Sequence, residues 1–295
     1  MSARDWGQLL RLGFLWGGSF FLARIAVADI PPLALVLYRV SIAAMVLHLW
    51  LRLRGISFAP VLAKPGSFLC LALLNNVIPF SLIFTGQTEI GAGLASVFYA
   101  TTPLWTILVA NLLTADEKLS AAKLAGVGLG IAGAAVMIGP GLLSNLGGPA
   151  WAKFAVIGAA ISYAFAVVYA KRFKGISPTV IATGQLTFAT VLMVPIVFLL
   201  YSPAEIITSS VPIWMAVLVL AVFTTAFAFI LYFNLIASAG ATNASLVTLL
   251  VPVSAIILSA VFLDERLEPF EFAGMASIMA SLIIIDGRGV RRQRQ

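Results

Sequence analysis

The sequence predicts an all-α integral membrane fold of ten transmembrane helices, built as two inverted five-helix repeats. Its composition, the spacing of its apolar runs and an internal duplication lead to that fold class. Of the 295 residues, 61% are hydrophobic and 10% charged, and the mean hydropathy is +1.07. A soluble domain is about 45–50% apolar and about 25% charged. The loops between apolar runs are too short to hold a separate domain, so one polytopic membrane unit is expected rather than two soluble ones.

A span needs about 20 mostly apolar residues, and ten segments qualify. The first, Trp6 to Val27, runs to Pro31-Pro32, and the second, Pro32 to Leu51, starts on a proline and stops at Arg52 and Arg54. Proline is tolerated where a helix begins because the amide it lacks would be unpaired there anyway. Pro65-Gly66 opens the third, Gly66 to Gln87; Gly91 to Leu113 is the fourth; and Ser120 to Ile138, ending at Gly139-Pro140-Gly141, is the fifth. In the second half, Trp151 to Ala170 ends on a basic run, and Pro178 to Leu200 lies between Ser177-Pro178 and Ser202-Pro203. Val211 to Ile236, Ala241 to Leu263 and Glu268 to Ile285 complete the set. The early Ala26-Val27-Ala28 resembles a signal-peptidase site, but its apolar stretch is long for a leader and belongs to the repeat, so the first helix is expected to stay.

Charge sets the orientation. With both termini cytoplasmic, the inner loops and tails carry fourteen lysines and arginines, and the outer loops carry two, Lys153 and Arg266. The positive-inside rule selects this arrangement. It also accounts for the net charge of +7 without a nucleic-acid partner, since the cations flank helices rather than forming a basic face. The single cysteine, Cys70, excludes an internal disulfide and a cysteine-based metal cluster.

The halves repeat one another. Gly91-Ala-Gly-Leu-Ala95-Ser96 ahead of Thr102-Pro103 matches Gly240-Ala-Thr-Asn-Ala244-Ser245 ahead of Val251-Pro252 in the same register. Asp116-Glu117-Lys118-Leu119 with Gly126 matches Asp264-Glu265-Arg266-Leu267 with Gly274, and Pro32 through Arg39 matches Pro178 through Gln185. Residues 1–140 are therefore read as one five-helix repeat and 151–295 as the second, with a basic cytoplasmic tail. Five is odd, so the second copy enters the membrane from the opposite side. Inverted repeats suit alternating access, in which two related conformations open one central site to opposite faces. A membrane enzyme has no comparable need for the symmetry.

Trp16-Gly17-Gly18-Ser19-Phe20, Arg39, and the prolines Pro103 and Pro252 with their following acidic knots resemble the drug/metabolite transporter superfamily, and within it the EamA-type exporters. The resemblance covers nearly the whole chain. It implies a central cavity between the halves, export of small metabolites and a bacterial inner-membrane location; among members the chain is most similar to exporters of amino acids, aromatic ones included. The second half departs from the Trp-Gly motif, having Ile161-Ser162-Tyr163-Ala164-Phe165 there.

Polar groups inside spans are costly unless they face protein or water, which makes them the site candidates. Arg39 can fork onto a substrate carboxylate or clamp neighbouring helices. Arg24, nearer a helix end, reads as snorkelling. Pro103 and Pro252 sit within spans, where each frees the carbonyl four residues earlier, Tyr99 and Thr248, for a substrate ammonium and supplies a hinge. Asn75, Asn76, Gln185, Thr224 and Asn234 add neutral hydrogen-bonding groups, and Trp16, Phe80, Tyr99 and Tyr163 add apolar walls; each also reads as interhelical packing. The carboxylates fall at predicted helix ends, in loops or, for Asp5, in the N-terminal tail, leaving none at mid-membrane for proton or sodium coupling. His48 reads as interfacial.

Three rival readings stay open: a transporter of phosphorylated or nucleotide-linked metabolites, which needs several cavity cations; a channel; and a membrane enzyme, which needs a nucleophile with a buried base. Gly128-Leu-Gly130-Ile-Ala-Gly133 spells a dinucleotide fingerprint but lies in an apolar helix with no preceding strand. With Gly126 it makes a close-packing face, toward the chain's own bundle or a second protomer, so a monomer or homodimer is expected. Asn243-Ala244-Ser245 is a glycosylation sequon in spelling only, at the inner end of a span. No cofactor is implied; the expected partners are a small-molecule substrate and the lipid bilayer.

Overall fold

The structure, a computed structural model, describes residues 1–115, 117, 119–138, 148–207, 210–262 and 269–286. Asp116 and Lys118, Gly139-Pro140-Gly141, the knot Asp264-Glu265-Arg266-Leu267 and the basic tail lie outside the described residues. Ten apolar helical spans run in order: α1 Ala3–Ala26, α2 Pro32–Leu53, α3 Pro65–Glu89, α4 Ala92–Leu113, α5 Ala121–Ile138, α6 Ala150–Phe173, α7 Pro178–Leu200, α8 Val211–Ala239, α9 from Ala241–Ser245 and Val247–Phe262, and α10 Pro269–Asp286. Seven are long and apolar enough to cross a bilayer by themselves, and α5, α9 and α10 contribute shorter apolar stretches. There is no strand among the described residues, as expected where lipid offers the backbone no hydrogen bonds and helices satisfy their own.

Sequence periodicity separates lipid from core. On α1, Leu9, Leu12, Trp16, Phe20 and Ala23 are buried, whereas Leu10, Phe14, Phe21 and Ile25 form an exposed apolar stripe. Both faces are hydrophobic, which is expected when the solvent on the outer face is hydrocarbon. The helices pair across the repeats in two-fold fashion. Helix α1 packs on α8 and α9 as α6 packs on α3 and α4, α2 meets α8 as α7 meets α3, and α2 with α7 and α5 with α10 pair with their own counterparts.

The α5–α10 contact explains the glycine-rich helix. A Cβ on Gly130 would lie 2.7 Å from Ser281 Oγ, and one on Gly133 would lie 2.9 Å from the Gly274 carbonyl oxygen. The GxGxxG spelling is thus a close approach of two helices of the same chain.

Several boundaries differ from the sequence reading. Helix α1 starts at Ala3 because Ser2 caps it: the Asp5 amide donates to Ser2 Oγ at 3.1 Å, and Asp5 Oδ2 accepts from the Ser2 amide at 2.6 Å. Asp5 is therefore a buried residue of the first turn rather than part of a tail, and its other oxygen accepts from Ser238 Oγ on α8 at 2.6 Å. Helix α4 is broken between Tyr99 and Thr102, so Pro103 occupies the start of a new helical segment instead of a mid-helix kink. In α9 the break falls at Leu246 and Pro252 lies inside the continuous segment Val247–Phe262. Matching prolines therefore act differently in the two repeats. His48 on α2 shares a 2.8 Å hydrogen bond with Thr187 on α7, a link between helices at the centre of the two-fold pairing.

Helices α3 and α8 each contain a π-helical stretch, Leu73–Val77 and Val222–Phe227, which the sequence reading did not anticipate. They occupy the same place in the two repeats. In α3 the Ile78 amide reaches back to Leu73, and the following residue, Pro79, has no amide to give. Leu74's carbonyl accepts instead from Ser162 Oγ on α6 at 2.7 Å. A wide turn frees backbone and turns polar side chains inward, and such turns are frequent at functional sites.

Replacing Gly130 with leucine is expected to destabilise the α5–α10 contact by about 1–3 kcal/mol, the usual cost of overpacking. A lowered unfolding temperature in detergent would register it, whereas the same change at Gly128, which has open space around it, should leave that temperature unaltered.

Candidate functional site

A narrow cavity of about 30 Å³ lies between the repeats, lined by Trp16, Ser19, Phe20 and Ala23 of α1, Arg39 of α2, Phe80, Ile83, Phe84 and Gln87 of α3, Tyr99 of α4, Tyr163 of α6 and Phe229 of α8. The two repeats both contribute walls. This volume suits a water or two rather than an organic substrate.

Arg39 is the charged group of this cavity and is 4% exposed. Its Nε donates to Thr225 Oγ1 at 2.7 Å and one terminal nitrogen approaches the Thr224 carbonyl at 3.4 Å, both within the π-helical turn of α8. The guanidinium carbon sits 4.0 Å from the centre of the Phe80 ring and 5.6 Å from that of Phe84. Hydroxyl, carbonyl and ring faces orient the fork while leaving its charge uncompensated. Among the described residues no carboxylate lies within ion-pair distance of it.

The aromatic walls form one connected set. Trp16 and Phe229 stand 6.3 Å apart, Phe229 and Phe80 6.4 Å, Phe80 and Tyr163 6.4 Å, Tyr163 and Tyr99 5.5 Å, and Tyr99 and Phe20 5.2 Å between ring centres. Tyr163, where the second repeat lacks the Trp-Gly motif, still supplies a wall opposite the first repeat's aromatics.

Gln87 supplies the complementary polarity. It is completely buried; its Nε2 donates to the Phe20 carbonyl at 3.1 Å, and its Oε1 has no partner. Arg24, close to the end of α3, donates to the backbone carbonyls of Gln87 and, at 3.4 Å, Thr88. Arg24 thus holds the helix end that carries Gln87. The cavity presents a cation and a free oxygen on an apolar surround, which matches an ion with an anionic and a cationic end.

Of the candidates named from sequence, Trp16, Arg39, Phe80, Tyr99 and Tyr163 converge on this cavity. Thr224 supports Arg39 through its carbonyl. Asn75 and Gln185 bond each other at 2.8 Å, and with Asn76 they lie off the cavity. Asn234 donates to the Ile230 carbonyl of its own helix at 2.8 Å, and Thr248 Oγ1 donates to the Ser245 carbonyl at 2.9 Å. The Tyr99 carbonyl, expected to be free, accepts from Thr102 Oγ1 at 2.6 Å. The sequence reading missed Ser19, Phe20, Phe84, Gln87 and Phe229. The spacing of Phe80, Phe84 and Gln87 at i, i+4 and i+7 marks one helix face and was the available signal; Gln87 passed unnoticed because it closed a predicted span.

A second cavity, of about 270 Å³, opens near the face expected to be cytoplasmic, beside Lys171, Lys174, Ile181, Phe233 and Gly240. Phe229 lines the central cavity and Phe233, one turn on, lines this one; their rings lie 6.1 Å apart. At the same face Glu117 joins the repeats. Its Oε1 accepts from the Ala241 amide at 3.0 Å and from Lys171 Nζ at 3.2 Å, and its Oε2 accepts from the Thr242 amide at 2.8 Å. Gly240, at φ +85°, lets α8 turn directly into α9 so that those amides face the carboxylate.

A duplicated ten-helix bundle enclosing a polar cavity between inverted halves is the architecture of a membrane transporter. The chain belongs to the EamA-like transporter family, whose model matches residues 7–139 and again 150–286. It is 27% identical over 284 residues to the uncharacterized inner membrane transporter YedA of Escherichia coli K12, covering 95% of this chain and 89% of that one. It is 24% identical over 299 residues to the probable terminal-alkyne amino-acid exporter of Streptantibioticus cattleyicolor, covering 100% and 97%. A solved crystal structure superposes with a TM-score of 0.76 at 19% identity, covering 97% of this chain and 98% of the other, which extends the likeness of fold to the whole bundle. The protein is accordingly a multi-pass inner-membrane transporter.

Burial pushes the Glu117 carboxyl up, but hydrogen bonds from Thr242, Ala241 and Lys171 outweigh it and hold the pKa below the ordinary value of 4.5. Its stabilising contribution is therefore complete above that ordinary value and is lost as the pH falls through the lower folded value. Glu117→Gln should flatten the acid limb of a melting-temperature profile between about pH 6 and pH 3, with Glu117→Ala costing about 1–2 kcal/mol through loss of the helix cap. An unchanged acid limb in Glu117→Gln would contradict this role.

Proposed function

We propose that the protein exports neutral amino acids, aromatic ones foremost, by alternating access. In this reading Arg39 takes the substrate carboxylate, the Gln87 Oε1 accepts from the ammonium, and Trp16, Phe20, Phe80, Tyr99 and Tyr163 enclose the side chain. The observation that carries it is a buried guanidinium, oriented but uncompensated, in an aromatic cavity that also offers an unpartnered acceptor. A carboxylate arriving there gains a charge-assisted, forked hydrogen bond in a low-dielectric site.

The relative named as a probable amino-acid exporter supports the substrate class and the direction. Phosphorylated and nucleotide-linked substrates carry more negative charge than one lining arginine neutralises, which favours a single carboxylate. The contracted cavity fits an occluded or resting state, and the Glu117 link and the Phe229–Phe233 stack would have to part for a substrate to pass from the larger cavity inward. The distribution of cations supports a cytoplasmic position for both termini. The described carboxylates lie at span ends, as Asp5 and Glu117 do, so transport is proposed to run down the substrate's own gradient.

Liposomes carrying the purified protein should take up labelled phenylalanine or another neutral amino acid in exchange for unlabelled substrate. Arg39→Ala should abolish this, and Gln87→Leu should raise KM about tenfold or more, consistent with losing a hydrogen bond to a charged group. No uptake of any amino acid above protein-free liposomes would retire the assignment. Dissipating proton and sodium gradients should leave counterflow unaltered, whereas a strict requirement for either ion would overturn gradient-driven transport.

A further inference from the structure

Arg39 has a two-fold counterpart. It lies seven residues after Pro32, and Gln185 lies seven residues after Pro178 in the matching helix of the second repeat. At 1.5 Å per residue each is about 10 Å into its span, and because the repeats are inverted they approach from opposite faces. Each reaches the π-helical turn in the third helix of the other repeat: Arg39 binds Thr225 on α8, and Gln185 Oε1 accepts from Asn75 Nδ2 on α3. The geometry is repeated while the charge is replaced by amides.

On the Arg39 side the polar groups are held by protein, and Arg39 itself lines the cavity. On the Gln185 side they are not satisfied. Asn75 Oδ1, both amide atoms of Asn76, and Gln185 Nε2 have no partner, although all three residues are at most 1% exposed. Buried polar atoms are almost always hydrogen-bonded, so a cluster of four exceptions is a marked departure. A proline following the π-turn and a serine from α6 fix the backbone that presents them. Asn76 is one helical turn from Phe80, and so from the central cavity, on the side of the Glu117 link.

The chemistry of the open valences identifies what they suit. Two donors and two acceptors with no net charge complement a head group that carries a carboxylate and an ammonium side by side. Building on the amino-acid reading above, we propose that Asn75, Asn76 and Gln185 form a second, uncharged station for the substrate's zwitterionic head, closed in this conformation and filled when the bundle opens toward the Glu117 side. A neutral station holds a zwitterion more weakly than an arginine, which suits a site from which the substrate moves on.

Asn76→Leu separates this from a structural role. Filling the position with a similar-sized apolar group removes unsatisfied atoms, so the unfolding temperature should hold or rise, while phenylalanine exchange in liposomes should fall about tenfold, the effect of one charge-assisted hydrogen bond. Competition by 3-phenylpropionate, which lacks the ammonium, should weaken equally with phenylalanine in Arg39→Lys but weaken less than phenylalanine does in Asn76→Leu, because the acceptor Oδ1 that this change removes serves only the ammonium. Exchange at the wild-type rate, or equal weakening of both ligands by Asn76→Leu, would overturn the station and leave the Arg39 assignment standing. Should Asn76→Leu not fold, Asn76→Ser carries the same expectations for both ligands. A wild-type protein that exchanges no amino acid would overturn the amino-acid reading and this station together.

Discussion

A guanidinium with no counter-anion among the described residues, buried between two repeats, constrains the rest of the bundle. Placing an arginine inside a span costs about 2.5–3.5 kcal/mol on insertion scales, and Arg39 recovers part of that from the Thr225 hydroxyl, the Thr224 carbonyl and the face of Phe80. Each partner makes a demand on the fold. The threonines must stand on a widened turn of α8, and Phe80 must face α2 from a helix that is itself widened a turn earlier. The cavity is the space these requirements leave.

The inverted duplication repeats this local arrangement in the second half of the chain. The same kind of contact recurs with the repeats exchanged, from Arg39 to the widened turn of α8 and from Gln185 to that of α3. The two halves have diverged where chemistry enters: arginine against glutamine, paired threonines against paired asparagines, a helix break before Pro103 against a continuous segment around Pro252. The fold is symmetric, and its broken chemical symmetry makes the two sides unequal. Glu117 adds a latch at one end only among the described residues, binding the loop after α4 to the first amides of α9 and to Lys171.

Much of this was legible before any coordinates. Ten spans follow from hydrophobic length, and the inversion follows from an odd number of helices per repeat. Arg39 and the aromatic candidates Trp16, Phe80, Tyr99 and Tyr163 stood out because charged and bulky groups inside a span need a reason. Gln87 was hidden because an amide at a span's end is ordinary, and its significance rests on an oxygen left without a partner. The π-turns were hidden because a single extra residue per turn leaves almost no trace in a hydropathy pattern. Asn234 had the right residue type, yet it spends its hydrogen bond on its own helix, an outcome that residue type alone does not reveal.

The sequence by itself determined the solvent, the number of spans, the duplication and the expected orientation, since these depend on summed hydrophobicity and charge, which are properties of the linear chain. Tertiary structure alone decided which polar atoms go unpaired. Arg39 and Gln185 occupy matching positions in matching helices, but whether a neighbouring group satisfies each one depends on where α8 and α3 place theirs. A hydrogen bond acts over about 3 Å, while the residues that make it here lie more than a hundred positions apart. That short range is why the fold could be read from the chain and the site had to be read from its packing.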